Sequence, residues 1–156
     1  MRARGFTLIE MIVTLAIVSL LATMAMPVAE LTVRRGKERE LRSALREIRS
    51  ALDAWKRAGD EGHIVRIAGE SGYPPSLEVL EQGVEDARSP DRRRLYFLRR
   101  VPRDPFAANP GQPAAATWGL RSYESAPDDP QPGRDVYDVR SLAPGRGLDG
   151  RPYSEW

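Results

Sequence analysis

One carboxylate stands inside an otherwise apolar stretch near the start of the chain. From Phe6 to Met26, Glu10 is the only residue with a formal charge. A charge inside a bilayer costs about 2.5–3.5 kcal/mol on insertion scales, so an intramembrane carboxylate predicts a functional role and a partner. Two interpretations are open. Glu10 either pairs with a positive group from another subunit, or lies near enough to the helix end to reach the membrane surface.

Groups that could carry other chemistry are few. The chain has no cysteine and a single histidine, His63, in a polar segment. No serine has a histidine placed beside it by a recognisable catalytic motif, and no glycine-rich phosphate loop occurs. The sequence therefore predicts that the protein is not an enzyme, and we interpret His63 as a solvated residue.

Six arginines surround two aromatic residues in the middle of the chain. The cluster consists of Arg92, Arg93, Arg94, Arg99, Arg100 and Arg103, around Tyr96 and Phe97. Such interleaving can indicate nucleic-acid binding. However, 24 basic residues face 22 acidic ones, so the formal net charge is only +2. A solvated face or an intersubunit salt-bridge surface is therefore favoured over a nucleic-acid partner.

The apolar stretch is long enough for a membrane-spanning helix. Residues 6–26 would form about 31 Å of helix, against a hydrocarbon core of about 30 Å. Arg2 and Arg4 precede the stretch, which predicts a cytoplasmic N-terminus and export of the remainder. A cleaved signal peptide would have a shorter apolar core and a clear small-residue cleavage site, and neither feature is present here.

The residues RGFTLIE, at positions 4–10, resemble the processing site of type IV pilins and of the pseudopilins of type II secretion. In that family a membrane peptidase cuts after the glycine and methylates the new N-terminus. The resemblance implies that Gly5 ends a leader peptide of residues 1–5 and that Phe6 becomes the methylated N-terminus. It also implies that Glu10 pairs with the Phe6 ammonium of a neighbouring subunit in a filament.

The resemblance extends to the helix that follows. It implies a transmembrane and assembly helix over residues 6–29, bent at Pro27, ahead of a periplasmic domain over residues 30–156. After Pro27, apolar residues recur every three or four positions, which predicts a helix with one narrow buried face. These residues are Leu41, Leu45, Ile48, Leu52 and Trp55. Gly59 and Gly62 predict its end.

The C-terminal half reads as short elements separated by turns. In GYPPSLEVLEQG, Ser76 is expected to be the N-cap of a short helix that ends at Gly83. The segments TWGLRSYES and DVYDVRS predict strands. Between them, APDDPQPGR is too rich in proline for a tight turn and predicts an exposed loop. The fold class is therefore α+β, a long N-terminal helix packed on a small antiparallel sheet.

Three segments of this half, GYPPSLEVLEQG, RRVPRDPF and the stretch from YDVRS to the closing SEW, resemble pseudopilins related to the major pseudopilin. This implies a pilin-like fold and a structural subunit of the pseudopilus that drives export of folded proteins. The implied partners are the chain itself, the prepilin peptidase, the inner-membrane secretion platform and minor pseudopilins. The implied location is the inner membrane, crossed once. A pilin-like subunit of a type IV or DNA-uptake filament is the alternative.

Relatives of the major pseudopilin often bind calcium in the loop after the last strand pair. The resemblance thus implies a calcium loop with Ser141 and Asp149 among the ligands. Calcium takes 6–8 oxygen ligands, yet Asp149 is the only acidic residue between positions 141 and 149, and Arg146 would oppose a cation. An ion-free loop closed by packing of Tyr153 and Trp156 is the other interpretation, and both remain open.

Overall fold

The computed structural model describes residues 7–67 and 69–156, apart from the side chains of residues 24–28. The chain divides into two compact units, one ending at Lys37 and the other running from Glu38 to Trp156. The predicted boundaries at residues 5/6 and 29/30 remain predictions. The predicted bend at Pro27 also remains a prediction, because the side chain of this residue is outside the described part of the structure.

Helix α1 covers Leu8–Asp60 and begins in the first unit. Its large apolar side chains between Leu8 and Leu21 are each 48% to 80% exposed. A helix that is apolar on all sides needs an apolar environment to cover it. Within the described residues, no helix carries an apolar stretch long enough to cross a membrane.

In the second unit, α1 buries the predicted stripe. Leu41, Leu45, Ile48 and Leu52 are at most 2% exposed, and Trp55 is 6% exposed. Full burial of one such aliphatic side chain contributes about 1.5–3 kcal/mol, so this face anchors the unit. The stripe belongs to one buried cluster with Leu80, Leu98, Val136, Val139 and Tyr153.

The end of α1 follows the predicted glycines. Gly62 has a φ of +80°, which favours glycine. The amide of His63 bonds to the carbonyl of Ala58 at 2.9 Å, and the amide of Gly62 bonds to Gly59 at 3.2 Å. These two bonds form a Schellman motif, which satisfies the last carbonyls of the helix.

Helix α2 covers Glu78–Gln82 and ends at Gly83, as predicted, where φ is +73°. The predicted N-cap is wrong. Leu77 occupies the N-cap position, and no side chain caps the helix. Leu77 and Leu80 are both buried, so packing of these leucines, and not a hydroxyl cap, sets where the helix begins.

Four short strands form two antiparallel pairs in the described part of the chain. Strands β1 (Val84–Glu85) and β2 (Arg94–Leu95) make one pair. Strands β3 (Trp118–Arg121) and β4 (Asp138–Ser141) make the other, with Trp118 opposite Ser141. The second pair confirms the two predicted strands, and the proline-rich loop between them is mostly exposed. The α+β prediction is confirmed.

Candidate assembly site

Glu10 lies in the first turn of α1 and is bonded to Thr7. The amide of Thr7 donates to Oε2 of Glu10 at 3.1 Å, and the Thr7 hydroxyl donates to the same oxygen at 3.3 Å. In return, the amide of Glu10 is 3.3 Å from the Thr7 hydroxyl oxygen. This reciprocal arrangement is a capping box, and it satisfies amides that the helix itself cannot pair.

This capping role of Glu10 was not predicted from the sequence. Its signal was present, because a threonine followed three residues later by glutamate ahead of an apolar run is a capping-box pattern. Glu10 is exposed, and its Oε1 makes no hydrogen bond with any residue that the structure describes. The carboxylate can therefore cap its own helix and still accept a bond from a positive group of another molecule. Gly5 and Phe6, the residues predicted to flank the leader cleavage site, lie outside the described residues.

The hydroxyl side chains of the apolar stretch are satisfied within the helix. Thr14 donates to the carbonyl of Glu10 at 2.9 Å, and Ser19 donates to that of Leu15 at 2.7 Å. Thr23 donates to Leu20 at 2.7 Å. Polar groups that bond to their own helix do not need water, which suits an apolar environment.

The two candidate calcium ligands have other partners. Ser141 is fully buried, and its hydroxyl donates to Oδ2 of Asp104 at 2.5 Å. Asp149 forms an ion pair with Arg42 at 3.1 Å and accepts from the amide of Arg151 at 3.1 Å. Among the residues that the structure covers, no group of three or more acidic or histidine side chains could hold a metal. Both predicted calcium ligands are therefore paired with other groups of the protein, and the calcium loop itself stays a prediction.

Aromatic packing is present in the same loop. The rings of Tyr153 and Trp156 meet edge to face, with centroids 5.1 Å apart, and Tyr153 stacks on Phe106 at 4.5 Å. Tyr153 is only 3% exposed. The contact that was expected for an ion-free loop therefore exists in the structure.

His63 is not simply a solvated residue, so that interpretation is corrected. Its side chain is 32% exposed, and Nδ1 lies 2.9 Å from Oδ1 of Asp86. The hydrogen bond from His63, assisted by the amide of Arg88, holds the pKa of Asp86 below its usual value of 3.8. The pair was not predicted from the sequence because the partners are 23 residues apart.

The arginine cluster is divided by the fold. Arg103 donates to the backbone oxygens of Gln112, at 2.5 Å, and Asn109, so it closes a loop. Phe97 packs on Trp55 with ring centroids 5.3 Å apart. The side chains that remain on the surface are those of Arg92, Arg93, Arg94, Tyr96, Arg99 and Arg100.

A cavity of about 360 Å³ lies between the end of α1 and the loop that follows it. Its lining includes Trp55, Tyr73 and Asp135. Asp135 accepts bonds from the Ser71 hydroxyl and, at 2.8 Å, from the amide of Tyr123. The Asp135 carboxylate therefore connects the segments that carry Ser71 and Tyr123.

The chain is similar to one family model and to several curated proteins. Residues 1–26 match the family described as "Prokaryotic N-terminal methylation motif". The "Type II secretion system core protein G" of Klebsiella michiganensis is 26% identical over 136 residues, or 85% of this chain and 88% of the relative. The protein of the same name from Escherichia coli (strain K12) is 28% identical over 123 residues, or 73% of this chain and 77% of the relative. No solved structure is significantly similar to the chain.

Proposed function

We propose that this chain, a type IV pilin-like pseudopilin related to core protein G of type II secretion, is a structural subunit of a secretion pseudopilus. The observation that carries this conclusion is the first part of α1. Its apolar side chains are exposed on all sides, and its single carboxylate lies at the N-terminal end. Such a surface is stable in lipid or when covered by the same helix of neighbouring subunits.

Assembly is driven by burial of this helix and guided by Glu10. In the proposed filament, Oε1 of Glu10 accepts from the methylated ammonium of Phe6 in the adjacent subunit. The Thr7 bonds support this role because they hold the carboxylate in the first turn. A buried carboxylate without such a partner would be strongly unfavourable, so the ion pair selects one stagger between parallel helices.

The proposed processing accounts for the residues ahead of α1. A prepilin peptidase removes residues 1–5 by cutting between Gly5 and Phe6 and then methylates Phe6. The match of residues 1–26 to an N-terminal methylation motif supports this proposal. Pseudopilins of this kind are anchored in the inner membrane, and here Arg2 and Arg4 favour a cytoplasmic N-terminus and a single crossing by residues 6–29.

The remaining partners are other components of the secretion machinery. We propose that the chain contacts itself, the inner-membrane secretion platform and minor pseudopilins, and that it has no catalytic role. The exposed arginines Arg92 to Arg94 support an intersubunit salt-bridge surface. Binding of DNA that weakens steeply with salt and is lost on replacing these three arginines would instead favour a DNA-uptake filament.

Mass spectrometry of the mature protein, isolated from its membrane, tests the proposal. We expect the N-terminus at Phe6 with one added methyl group. A chain that still begins at Met1, or that is cut at another position, would contradict the proposed processing. As a control, a Gly36→Ala variant changes a glycine of α1 that is far from the cleavage site, and it should be processed normally.

A further inference from the structure

We propose that the C-terminal segment, residues 142–156, is held by three side chains of α1 and closes without a bound cation. We call Glu38, Arg42 and Arg49 the α1 clasp. The three residues are four and seven positions apart, so they lie along one side of the helix. All three contact the segment, and Arg49 also contacts strand β4, which precedes it.

Glu38 bonds to the middle of the segment. Its Oε1 accepts from the amide of Leu148 at 2.9 Å and from the hydroxyl of Tyr153 at 3.1 Å. Glu38 is only 5% exposed, and Tyr153 is 3% exposed. A buried carboxylate needs hydrogen-bond donors, and these two donors come from residues more than a hundred positions away in sequence. Glu38 therefore supplies one acceptor for two donors of the segment.

Arg42 forms an ion pair with Asp149, an acidic residue in the middle of the segment. Its Nη2 lies 3.1 Å from Oδ2 of Asp149. The guanidinium also lies over the Trp156 ring, with its central carbon 4.1 Å from the ring centroid. A cation over an indole is attracted to the face of the ring. One side chain thus connects the middle of the segment to its last residue.

Arg49 gathers oxygen atoms in the way a metal ion would. Its Nε donates to Oδ1 of Asp138 at 2.8 Å. Its Nη2 donates to the carbonyl of Val139 at 3.0 Å and to the backbone oxygen of Trp156 at 2.8 Å. A guanidinium presents several donors in a fixed plane, so one residue can bind three acceptors from two segments.

Carbonyl oxygens of the segment also accept hydrogen bonds from other groups of the same segment. The amide of Gly147 donates to the carbonyl of Arg151 at 2.7 Å, and the amide of Gly150 donates to Gly147 at 2.9 Å. Arg146 donates to the carbonyl of Gly150 at 3.1 Å. A calcium ion would need several of these carbonyls, and at Asp149 it would have to displace Arg42. The arrangement replaces a cation with arginine side chains.

The thermal melting of the full-length chain in detergent, with added calcium and with a chelator, tests this proposal. A ligand that binds only the folded state must raise the melting temperature, so we expect equal values in the two conditions. Arg42→Ala and Arg49→Ala should each lower the melting temperature by about 3 °C. Arg39→Ala removes an exposed arginine of the same helix and should leave it unchanged.

Limited trypsin digestion gives an independent measurement on the same variants. Loss of the α1 clasp should speed cleavage after Arg146, which lies inside the closed loop, whether or not calcium is present. In the wild type and in Arg39→Ala this site should be cut slowly.

Two results would overturn the proposal. The first is a calcium-dependent rise in the melting temperature of the wild type that disappears in Asp149→Asn. The second is melting and proteolysis of the Arg42→Ala and Arg49→Ala variants equal to those of Arg39→Ala. Neither measurement requires a filament, so its outcome is independent of the N-terminal processing that tests the proposed function.

Discussion

Ser141 and Asp104 are joined by a 2.5 Å hydrogen bond from the serine hydroxyl to Oδ2 of the aspartate. Both residues are buried, at 0% and 1% exposure. The other oxygen of Asp104 accepts from the amide of Phe106 at 2.8 Å, and the Ser141 oxygen accepts from the amide of Ala143 at 3.1 Å. The pair therefore connects the VPRDPF segment to the end of β4.

Replacing Asp104 with alanine should destabilise the protein. The change removes the buried carboxylate that accepts from the Ser141 hydroxyl and the Phe106 amide. We expect this loss to lower the free energy of unfolding by about 3 kcal/mol. Urea unfolding of the full chain in detergent measures this loss. Asp128→Ala, at an exposed position in the proline-rich loop, is the matched control and should change stability by less than about 0.5 kcal/mol. Equal stability of the two variants would show that the buried bond contributes little.

Replacing Glu10 with glutamine separates its two roles. Glutamine at this position preserves a capping box, whereas it removes the charge that we propose pairs with Phe6. We expect normal cleavage after Gly5 and loss of pseudopili, measured by mass spectrometry and by electron microscopy of cells at native expression. Glu10→Ala should show the same loss of pseudopili, because it too removes the charge.

Thr7→Ala is the complementary control for Glu10. It removes the threonine hydroxyl from the capping box, at a cost of about 1 kcal/mol, but it keeps the carboxylate. Pseudopili should still form. If Glu10→Gln assembled normally while Thr7→Ala did not, the cap would be the important role of this site and the charge would be incidental.

The His63–Asp86 pair should make stability depend on acid pH. The pKa of Asp86 is lowered below 3.8 in the folded protein. The contribution of its ionised carboxylate to the free energy of unfolding is therefore fully present above pH 3.8. The contribution is lost as the pH falls through the lower, folded-state pKa. The melting temperature of Asp86→Asn should therefore lie below that of the wild type at neutral pH, and the difference should shrink below about pH 4.

Asp91→Asn is the control for this pH series. Asp91 faces Arg93 at 3.8 Å, but both side chains are more than three-quarters exposed, so their pairing should contribute nothing measurable. If the melting temperatures of the wild type and Asp86→Asn differed by the same amount at every pH, the charge of Asp86 would not matter to stability.

Two glycines should respond to alanine in opposite directions. A Cβ at Gly147 would lie 2.3 Å from the Trp156 ring, so Gly147→Ala forces the closed loop apart and should cost about 1–3 kcal/mol. A Cβ at Gly36 would meet nothing within 4 Å in α1, so Gly36→Ala should stabilise the helix by about 0.5–1 kcal/mol. The free energies of unfolding of both variants, measured by chemical denaturation, test these two expectations. Equal effects would indicate that the loop is not closed over Gly147.

Local patterns allowed much of the fold to be predicted. The buried stripe of α1 follows from helical spacing of apolar residues, and the ends of both helices follow from glycines that can adopt positive φ. Strands β3 and β4 follow from short runs rich in aromatic and β-branched residues. The N-cap at Ser76 failed because burial of Leu77 and Leu80 outweighed a local hydroxyl signal.

By itself, the sequence determined the α+β class, the buried face of α1 and the apolar N-terminal helix with its single carboxylate, because these depend on residues that are neighbours along the chain. Only the tertiary structure decided the partners of isolated polar groups. Ser141 and Asp149, the predicted calcium ligands, bond to Asp104 and Arg42, which are 37 and 107 residues away. No spacing rule reaches that far, because such contacts exist only after the core has brought distant segments together.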